Sequence, residues 1–236
     1  MAMHQLHTLR HDALRTAIGV LQTARDPDHA LTHGLPMLAA INQSPLGDLT
    51  RARQLESPSL RKLAKERYFR PWPDPDTFRS MPEGSLGRCF QRRLDHLGLH
   101  QLPVSPPEST TSDGAYLQAR RLWTHDLLHL ILGIPITPAG EAAGAAYYCA
   151  TMYEFGSAAF LSAWIFHAIE NTNEKPDVWD GIRFGLEVAK TIGNEILAAR
   201  WEDDWEKSLE AWRDTLLLND VLSKSPFQEE LGSTSR

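Results

Sequence analysis

The feature that most limits how this chain can fold is a pair of histidines, His125 and His129, in an otherwise apolar segment. Residues four apart lie on the same face of an α-helix, so both imidazoles can point to one position. A connector rich in glycine and proline, residues 133–140, follows this segment and leads to Glu141. Because such a connector ends one helix and lets the next fold back, we predict that a carboxylate reaches the same position.

Two neutral imidazoles with one or two carboxylates form a ligand set for a divalent metal, with room for an exogenous ligand. Asp126 lies beside His125 and could either bind the metal or orient a ligand. The alternative is an ordinary polar pair on a helix. The apolar neighbours favour a metal site, because a buried imidazole without a partner costs free energy. A zincin motif is disfavoured, since it needs glutamate at the position of Asp126.

The rest of the sequence predicts an all-α fold, because its apolar periodicity is helical and no segment alternates as a strand does. We expect one helical-bundle-like domain of about seven to eight helices over residues 1–220. Residues 221–236 are expected to form a disordered tail. Long helices are expected over four segments: 116–132, 141–170, 178–200 and 201–218.

Two apolar stripes give more local expectations. Leu14, Ile18 and Leu21 fit the apolar face of a first helix. A second stripe has the same spacing near the C-terminus: Trp201, Trp205, Leu209 and Trp212. Acidic residues lie alongside the second stripe, and they oppose contact with an anionic lipid surface. We therefore interpret it as core or as a dimer interface.

Composition excludes some classes of protein. The net charge of −6 argues against non-specific nucleic-acid binding, which needs a basic face. Cys89 and Cys149 are far apart and have no zinc-binding spacing, as expected for free thiols in a reducing compartment. The N-terminus has no secretory signal and no clear mitochondrial presequence, and the most apolar run, residues 155–169, is too short for a membrane span. We expect a cytoplasmic protein.

The histidine motif resembles that of a known family. His125-Asp126-x-x-His129, followed after eleven residues by Glu141, matches the HDxxH-x11-E signature of the ubiquinone (coenzyme Q) biosynthesis protein four family. Further segments resemble this family: residues 81–88 (MPEGSLGR, where the family has LPEGSLGR), 120–124, 133–134, 140–141 and 201–209. The resemblance extends over most of the chain.

The resemblance implies an all-α protein that binds a metal, forms homodimers and holds a polyprenyl tail in a hydrophobic channel beside the metal. It implies that His125, Asp126, His129 and Glu141 are the metal ligands, and that His125, His129 and Glu141 are also catalytic. Zinc is the expected metal, with iron or magnesium as alternatives. The family associates peripherally with membranes, which implies the inner face of the membrane, or the matrix side of the mitochondrial inner membrane in a eukaryote.

The implied reaction is oxidative decarboxylation of a polyprenyl-hydroxybenzoate intermediate, with loss of the ring C1 carboxylate and hydroxylation at that carbon. Zinc is redox-inactive, so either the phenol ring reacts directly with oxygen or the native metal is iron. The alternative function is a non-catalytic scaffold that binds an isoprenoid lipid and organises other quinone-biosynthesis enzymes. Either function implies a polyprenyl-lipid ligand and those enzymes as partners, and no nucleic acid.

Gly84, Ser85 and Arg88 are candidate substrate-binding residues. Glycines free the backbone, N–H groups at a helix start favour anions, and Arg88 could pair with a carboxylate or phosphate. The alternative is a structural helix start, with Ser85 as the cap and Arg88 bound to a neighbouring acid.

Phe155, Phe160 and Trp164 are candidate residues for binding the isoprenoid chain. They lie among small side chains, and small residues beside aromatic ones could line a channel. The alternative for these three residues is ordinary core packing.

Overall fold

The computed structural model describes residues 2–42, 44–100 and 106–234. Within these ranges it contains helices, one isolated antiparallel bridge between Ser85 and Ser208, and no named strand. The all-α fold class predicted from the sequence is confirmed.

Fifteen α-helices form in the described residues. In chain order they are α1 (Ala2–Arg25), α2 (Ala30–Asn42), α3 (Pro45–Gln54), α4 (Pro58–Glu66), α5 (Pro75–Ser80), α6 (Leu86–Leu97), α7 (Asp113–Trp123), α8 (His125–Leu132), α9 (Pro138–Met152), α10 (Phe155–Glu170), α11 (Val178–Ile192), α12 (Glu195–Ala198), α13 (Leu209–Thr215), α14 (Asn219–Leu222) and α15 (Gln228–Thr234). Short 3-10 helices lie at Pro27–His29, Pro107–Ser109 and Trp201–Asp203.

The helices are more numerous than the sequence predicted, because predicted long helices are interrupted and short helices form outside the predicted ones. Thr124 separates α7 from α8, and its hydroxyl donates a hydrogen bond to the Arg120 carbonyl at 2.9 Å. This bond from a side chain to the carbonyl four residues earlier bends helices. Tyr153 separates α9 from α10 in the left-handed conformation (φ 49°). Its carbonyl accepts a hydrogen bond from the Thr50 hydroxyl at 3.1 Å.

The C-terminal region also differs from the prediction. The long helix expected over residues 201–218 is replaced by a 3-10 turn, an irregular stretch and α13. In the segment predicted to be disordered, α15 forms, and Phe227 and Leu231 are buried. Two apolar side chains four residues apart give this segment a face to bury, so part of the predicted tail is helical.

The chain divides into two compact units. The first unit contains Met1–Arg53 and Ile136–Ala189, and the second contains Gln54–Pro135 and Lys190–Arg236. Compact units do not decide by themselves how many domains a chain has, so the single domain over residues 1–220 stays a prediction. No helix in the described part of the chain is long and apolar enough to cross a membrane.

The first unit has an apolar core to which α1, α2 and α10 contribute. Its buried members are Val20, Ala24, Met37, Ile41, Ala159 and Ala163. Leu14, Ile18 and Leu21, expected on the apolar face of α1, are instead exposed by 60%, 45% and 52%. The face that α1 buries is lined by smaller side chains, which let it lie close to α2.

The second unit has an aromatic cluster around Trp72, which lies in the proline-rich stretch between α4 and α5. The Trp72 ring centroid is 5.2 Å from that of Phe90, 5.5 Å from that of Trp123 and 5.1 Å from that of Trp205. All three pairs are edge-to-face, a favourable arrangement of aromatic quadrupoles. The half-buried Trp72 therefore packs the loop against the core of this unit.

A buried ion pair and the C-terminal tryptophans also belong to this core. Arg120 and Glu202 pair with both side chains fully buried, and Arg120 also donates to the Ala199 carbonyl at 2.8 Å. Trp201 and Leu209 are at most 2% exposed. Three members of the C-terminal stripe, Trp201, Trp205 and Leu209, are therefore buried inside the second unit, and Trp212 is half-buried. Burial in the core is one of the two interpretations that the sequence allowed.

Helix α11 approaches α9 through two glycines. A Cβ atom at Gly181 would overlap the Ala139 carbonyl oxygen, and one at Gly185 would overlap the Ala143 carbonyl oxygen. Both contacts are with backbone atoms, which cannot rotate away as a side chain can. This packing fixes the first two turns of α9, which include Glu141.

We expect Gly181→Ala to lower the free energy of unfolding by about 1–3 kcal/mol, because the added methyl group must displace the α9 backbone. Gly232→Ala is the control, since a Cβ at Gly232 meets nothing within 4 Å. The control is expected to be neutral or stabilising, as alanine favours helix. Urea denaturation of both variants measures the difference. Equal stabilities would contradict the close packing of α11 on α9.

Candidate metal centre

Helix α8 is one short helix that carries both histidines, and its end is defined by a glycine turn. Gly133 adopts the left-handed conformation (φ 58°). Its N–H donates to the Leu130 carbonyl at 3.3 Å, and the Ile134 N–H donates to the His129 carbonyl at 3.0 Å. This pair of hydrogen bonds is a Schellman motif, which turns the chain back across the helix end.

The same turn brings the Ile134 carbonyl to the His129 ring. The distance from His129 Nδ1 to this carbonyl oxygen is 3.2 Å, and His129 is 2% exposed. A carbonyl only accepts hydrogen bonds, so Nδ1 of the neutral ring carries the proton. Nε2 is then the nitrogen with a lone pair, the form in which a histidine binds a metal while a backbone carbonyl holds its other nitrogen.

Both imidazoles are held in the neutral form. Burial lowers the pKa of His129 to about 4, and the nearby charge of Arg93 lowers it as well. Burial also holds the pKa of His125 well below its ordinary value, with His129 and Arg121 adding to the effect. Metal binding requires neutral imidazole, so near pH 7 no proton has to leave before these side chains can coordinate an ion.

Glu141 joins the two histidines in one cluster. The imidazole rings have centroids 4.8 Å apart and are nearly perpendicular. One ligand atom from each of His125, His129 and Glu141 lies within 4.8 Å of the other two. Two nitrogens and one carboxylate oxygen suit a catalytic zinc site, which keeps a further position for water or substrate. Asp126 is not part of this cluster, so its role as a ligand stays a prediction.

The sequence around residues 137–141 explains why Glu141 lies at the start of α9. Thr137 caps α9 by accepting a hydrogen bond from the Gly140 N–H at 3.4 Å, and Pro138 occupies the start of the helix. Proline has no N–H to leave unpaired in the first turn. Glu141 therefore lies in the first turn of α9, where the helix dipole favours a carboxylate.

Two arginines that the sequence analysis did not identify bind the end of α8. Arg213 donates to the Leu130 and Ile131 carbonyls, each at 3.0 Å, and Arg93 donates to the Ile134 carbonyl at 2.9 Å. Burial lowers the pKa of Arg213 to about 10. No sequence signal marks these residues, because an arginine that binds a distant backbone carbonyl has no fixed spacing from it.

The candidate anion-binding segment forms the start of α6. Ser85 is buried and its hydroxyl accepts a hydrogen bond from the Arg88 N–H at 3.3 Å. Arg88 forms an ion pair with Glu83 at 2.9 Å. Gly84 has a positive φ of 75°, which glycine adopts without strain. These are the contacts of the structural alternative, and the substrate-binding role of Gly84, Ser85 and Arg88 stays a prediction.

The first N–H groups of α6 already have acceptors. The Leu86 N–H donates to the Lys207 carbonyl and the Gly87 N–H donates to the Trp205 carbonyl, each at 2.9 Å. In return, the Leu209 N–H at the start of α13 donates to the Gly84 carbonyl at 2.9 Å. The starts of α6 and α13 therefore bind each other through the backbone, so an anion at α6 would compete with these carbonyls.

The candidate lipid-binding residues pack within the first unit. Phe155 and Phe160 lie against its apolar core, and a Cβ atom at Gly34 would overlap the Phe160 ring. Trp164 is buried in a neighbouring cluster with Ala142, Ala145, Ala168 and Val178. Their role in binding an isoprenoid chain stays a prediction.

Comparisons with known proteins identify one family and one fold. Residues 61–221 match the family model described as coenzyme Q (ubiquinone) biosynthesis protein Coq4. No curated protein matches the chain. A crystal structure of a candidate ubiquinone biosynthesis protein from Nostoc punctiforme PCC 73102 is similar, with a TM-score of 0.73 and 20% sequence identity. The alignment covers 87% of this chain and 97% of that one, and at this identity it shows a shared fold.

We expect the imidazole NMR signals of His129 to stay constant between about pH 8 and pH 5.5, because its pKa is about 4. His29 is the internal control, since its hydrogen bond with Asp26 raises its pKa above the ordinary 6.5. His29 should therefore titrate within or above this range in the same ¹H–¹³C spectra. A His129 midpoint near 6.5 would contradict a buried neutral ring.

Proposed function

Because this chain belongs to the coenzyme Q (ubiquinone) biosynthesis protein Coq4 family, we propose that it acts in coenzyme Q biosynthesis as a metal-dependent enzyme. The family match covers residues 61–221, which include His125, His129 and Glu141. The observation that carries the proposal is the cluster of these three side chains, whose ligand atoms lie within 4.8 Å of one another.

The proposed reaction is the oxidative decarboxylation of a polyprenyl-hydroxybenzoate. The bond between ring carbon C1 and its carboxylate breaks with release of carbon dioxide, and a hydroxyl group replaces the carboxylate. Dioxygen is the proposed oxidant: it accepts the two electrons and leaves as hydrogen peroxide, and water supplies the oxygen of the new hydroxyl group. Zinc is the first candidate metal, with iron or magnesium as alternatives.

The residues support this reaction through charge. Two neutral imidazoles and one carboxylate leave a net positive charge on a divalent ion, which favours an anionic ring carboxylate. When bound, the metal supplies a Lewis acid that holds and polarises this carboxylate. The Ile134 carbonyl fixes the His129 ring by accepting from Nδ1, so Nε2 keeps one direction during the reaction. Glu141 adds an oxygen ligand, and we propose Asp126 as an orienting group, or as a further ligand that would leave the site neutral.

The metal test compares wild-type protein with two variants. Wild-type protein is expected to hold about one divalent ion per chain, and Glu141→Gln and His129→Ala to hold less than about a tenth of that. His96→Ala is the matched control, because His96 is exposed on α6 and should leave the metal content unchanged. Elemental analysis after dialysis against buffer measures the ion and identifies it, and circular dichroism checks that each variant is folded.

Turnover distinguishes an enzyme from a scaffold. Prenylated hydroxybenzoate with a ¹³C-labelled carboxylate is incubated with wild-type protein in air. We expect labelled carbon dioxide and a hydroxylated ring, and loss of both with Glu141→Gln. A metal-loaded protein that binds the substrate without releasing carbon dioxide would favour the non-catalytic scaffold. Wild-type protein without metal would contradict the proposed function.

A further inference from the structure

We propose that Arg93 and Glu230 are positioning residues for His129, and that α15 acts on the metal centre through them. This inference rests on the proposed metal-binding function. It extends that function to a segment outside the family match, because the match ends at residue 221 and α15 begins at Gln228.

The Ile134 carbonyl is the point where the positioning acts. Its oxygen accepts from His129 Nδ1 at 3.2 Å and from the Arg93 guanidinium at 2.9 Å. A carbonyl oxygen has two lone pairs, so it can serve both donors at once. The Ile134 N–H is also bound, to the His129 carbonyl. Ile134 is therefore tied to His129 through both its N–H and its carbonyl, and Arg93 holds that carbonyl from a different helix.

Arg93 is itself held by Glu230. Arg93 lies on α6 and is 8% exposed, and one arm of its guanidinium pairs with the Glu230 carboxylate while the other reaches the Ile134 carbonyl. The guanidinium is planar and its donors have a fixed fork geometry, so binding one arm sets the direction of the other. The ion pair with Glu230 therefore directs the hydrogen bond that fixes Ile134.

A second contact joins α15 to the same turn. A Cβ atom at Gly133 would overlap the Leu231 side chain, so Leu231 lies directly on the glycine that ends α8. Glu230 and Leu231 are neighbours in sequence, and together they contact the arginine and the turn. Helix α15 thus contacts the end of α8 directly through Leu231, and acts on it indirectly through the ion pair of Glu230 with Arg93.

The expected consequence is a change in metal affinity. Partners that hold a metal-binding histidine typically change metal affinity by about 10–100-fold when they are removed. Without the ion pair, the guanidinium loses its fixed direction and the Ile134 carbonyl is free to move. The His129 ring can then rotate or change tautomer, which misplaces Nε2.

The experiment compares Glu230→Gln, Arg93→Lys and the control Glu229→Gln. Glu229 is exposed and adjacent to Glu230, so its variant removes the same charge from α15 without touching Arg93. Lysine keeps the charge of Arg93 but lacks the fork. Two readouts are used: zinc affinity by competition with a chelator, and the ¹⁵N chemical shifts of the His129 ring nitrogens in metal-free protein.

We expect Glu230→Gln and Arg93→Lys to weaken zinc binding by about tenfold or more and to shift the His129 signals away from a single Nδ1–H tautomer. Glu229→Gln should match wild type in both readouts. Wild-type ring shifts and wild-type zinc affinity in folded Glu230→Gln protein would overturn the inference. If wild-type protein binds neither zinc nor another divalent ion, the proposed function fails, while the ring shifts still decide whether Arg93 and Glu230 position His129.

Discussion

The buried end of α8 is the constraint on which the candidate metal centre depends. A helix leaves its last carbonyl groups without partners, and inside a protein each needs a donor. Here the N–H groups of Gly133 and Ile134 bind the carbonyls of Leu130 and His129, and Arg213 binds the Ile131 carbonyl and adds a second donor at Leu130. The turn that satisfies the backbone also delivers the Ile134 carbonyl to the His129 ring. The orientation of the His129 ring, a candidate metal ligand, therefore depends on how the last carbonyl groups of α8 obtain hydrogen-bond donors.

Residues 81–88 and 201–209, two of the segments that resemble the family, bind each other through backbone hydrogen bonds. Each contains a Ser-Leu pair that starts a helix, and the serines Ser85 and Ser208 cap their own helices. Carbonyls from each segment bind N–H groups of the other. Glycine at position 84 allows the positive φ that this requires. The recognisable sequence of both segments thus has a structural explanation in addition to any role in binding a substrate.

Local spacing predicted the parts of the site that depend on neighbouring residues. The four-residue step from His125 to His129 predicted a helix with both imidazoles on one face, and the glycine at 133 predicted where that helix ends. The sequence could not show that Thr124 interrupts a helix, because that break depends on a hydrogen bond to the backbone. It also could not show the contact of Arg93 with Ile134, since two residues far apart in sequence meet only after folding. The all-α class was predicted from the helical periodicity. The buried face of α1 was predicted wrongly, because α1 packs through small side chains and leaves its larger apolar side chains exposed.

The paired starts of α6 and α13 have a consequence for the order in which the molecule is completed during synthesis. The second unit begins with Gln54–Pro135 and ends with Lys190–Arg236, so the ribosome finishes the first unit before it makes the last part of the second. Until residues 205–209 emerge, the first N–H groups of α6 have only water as an acceptor. Nascent chains therefore carry an incomplete second unit with exposed aromatic surface, a state that favours aggregation. Synthesis of residues 190–236 is the event that completes the second unit.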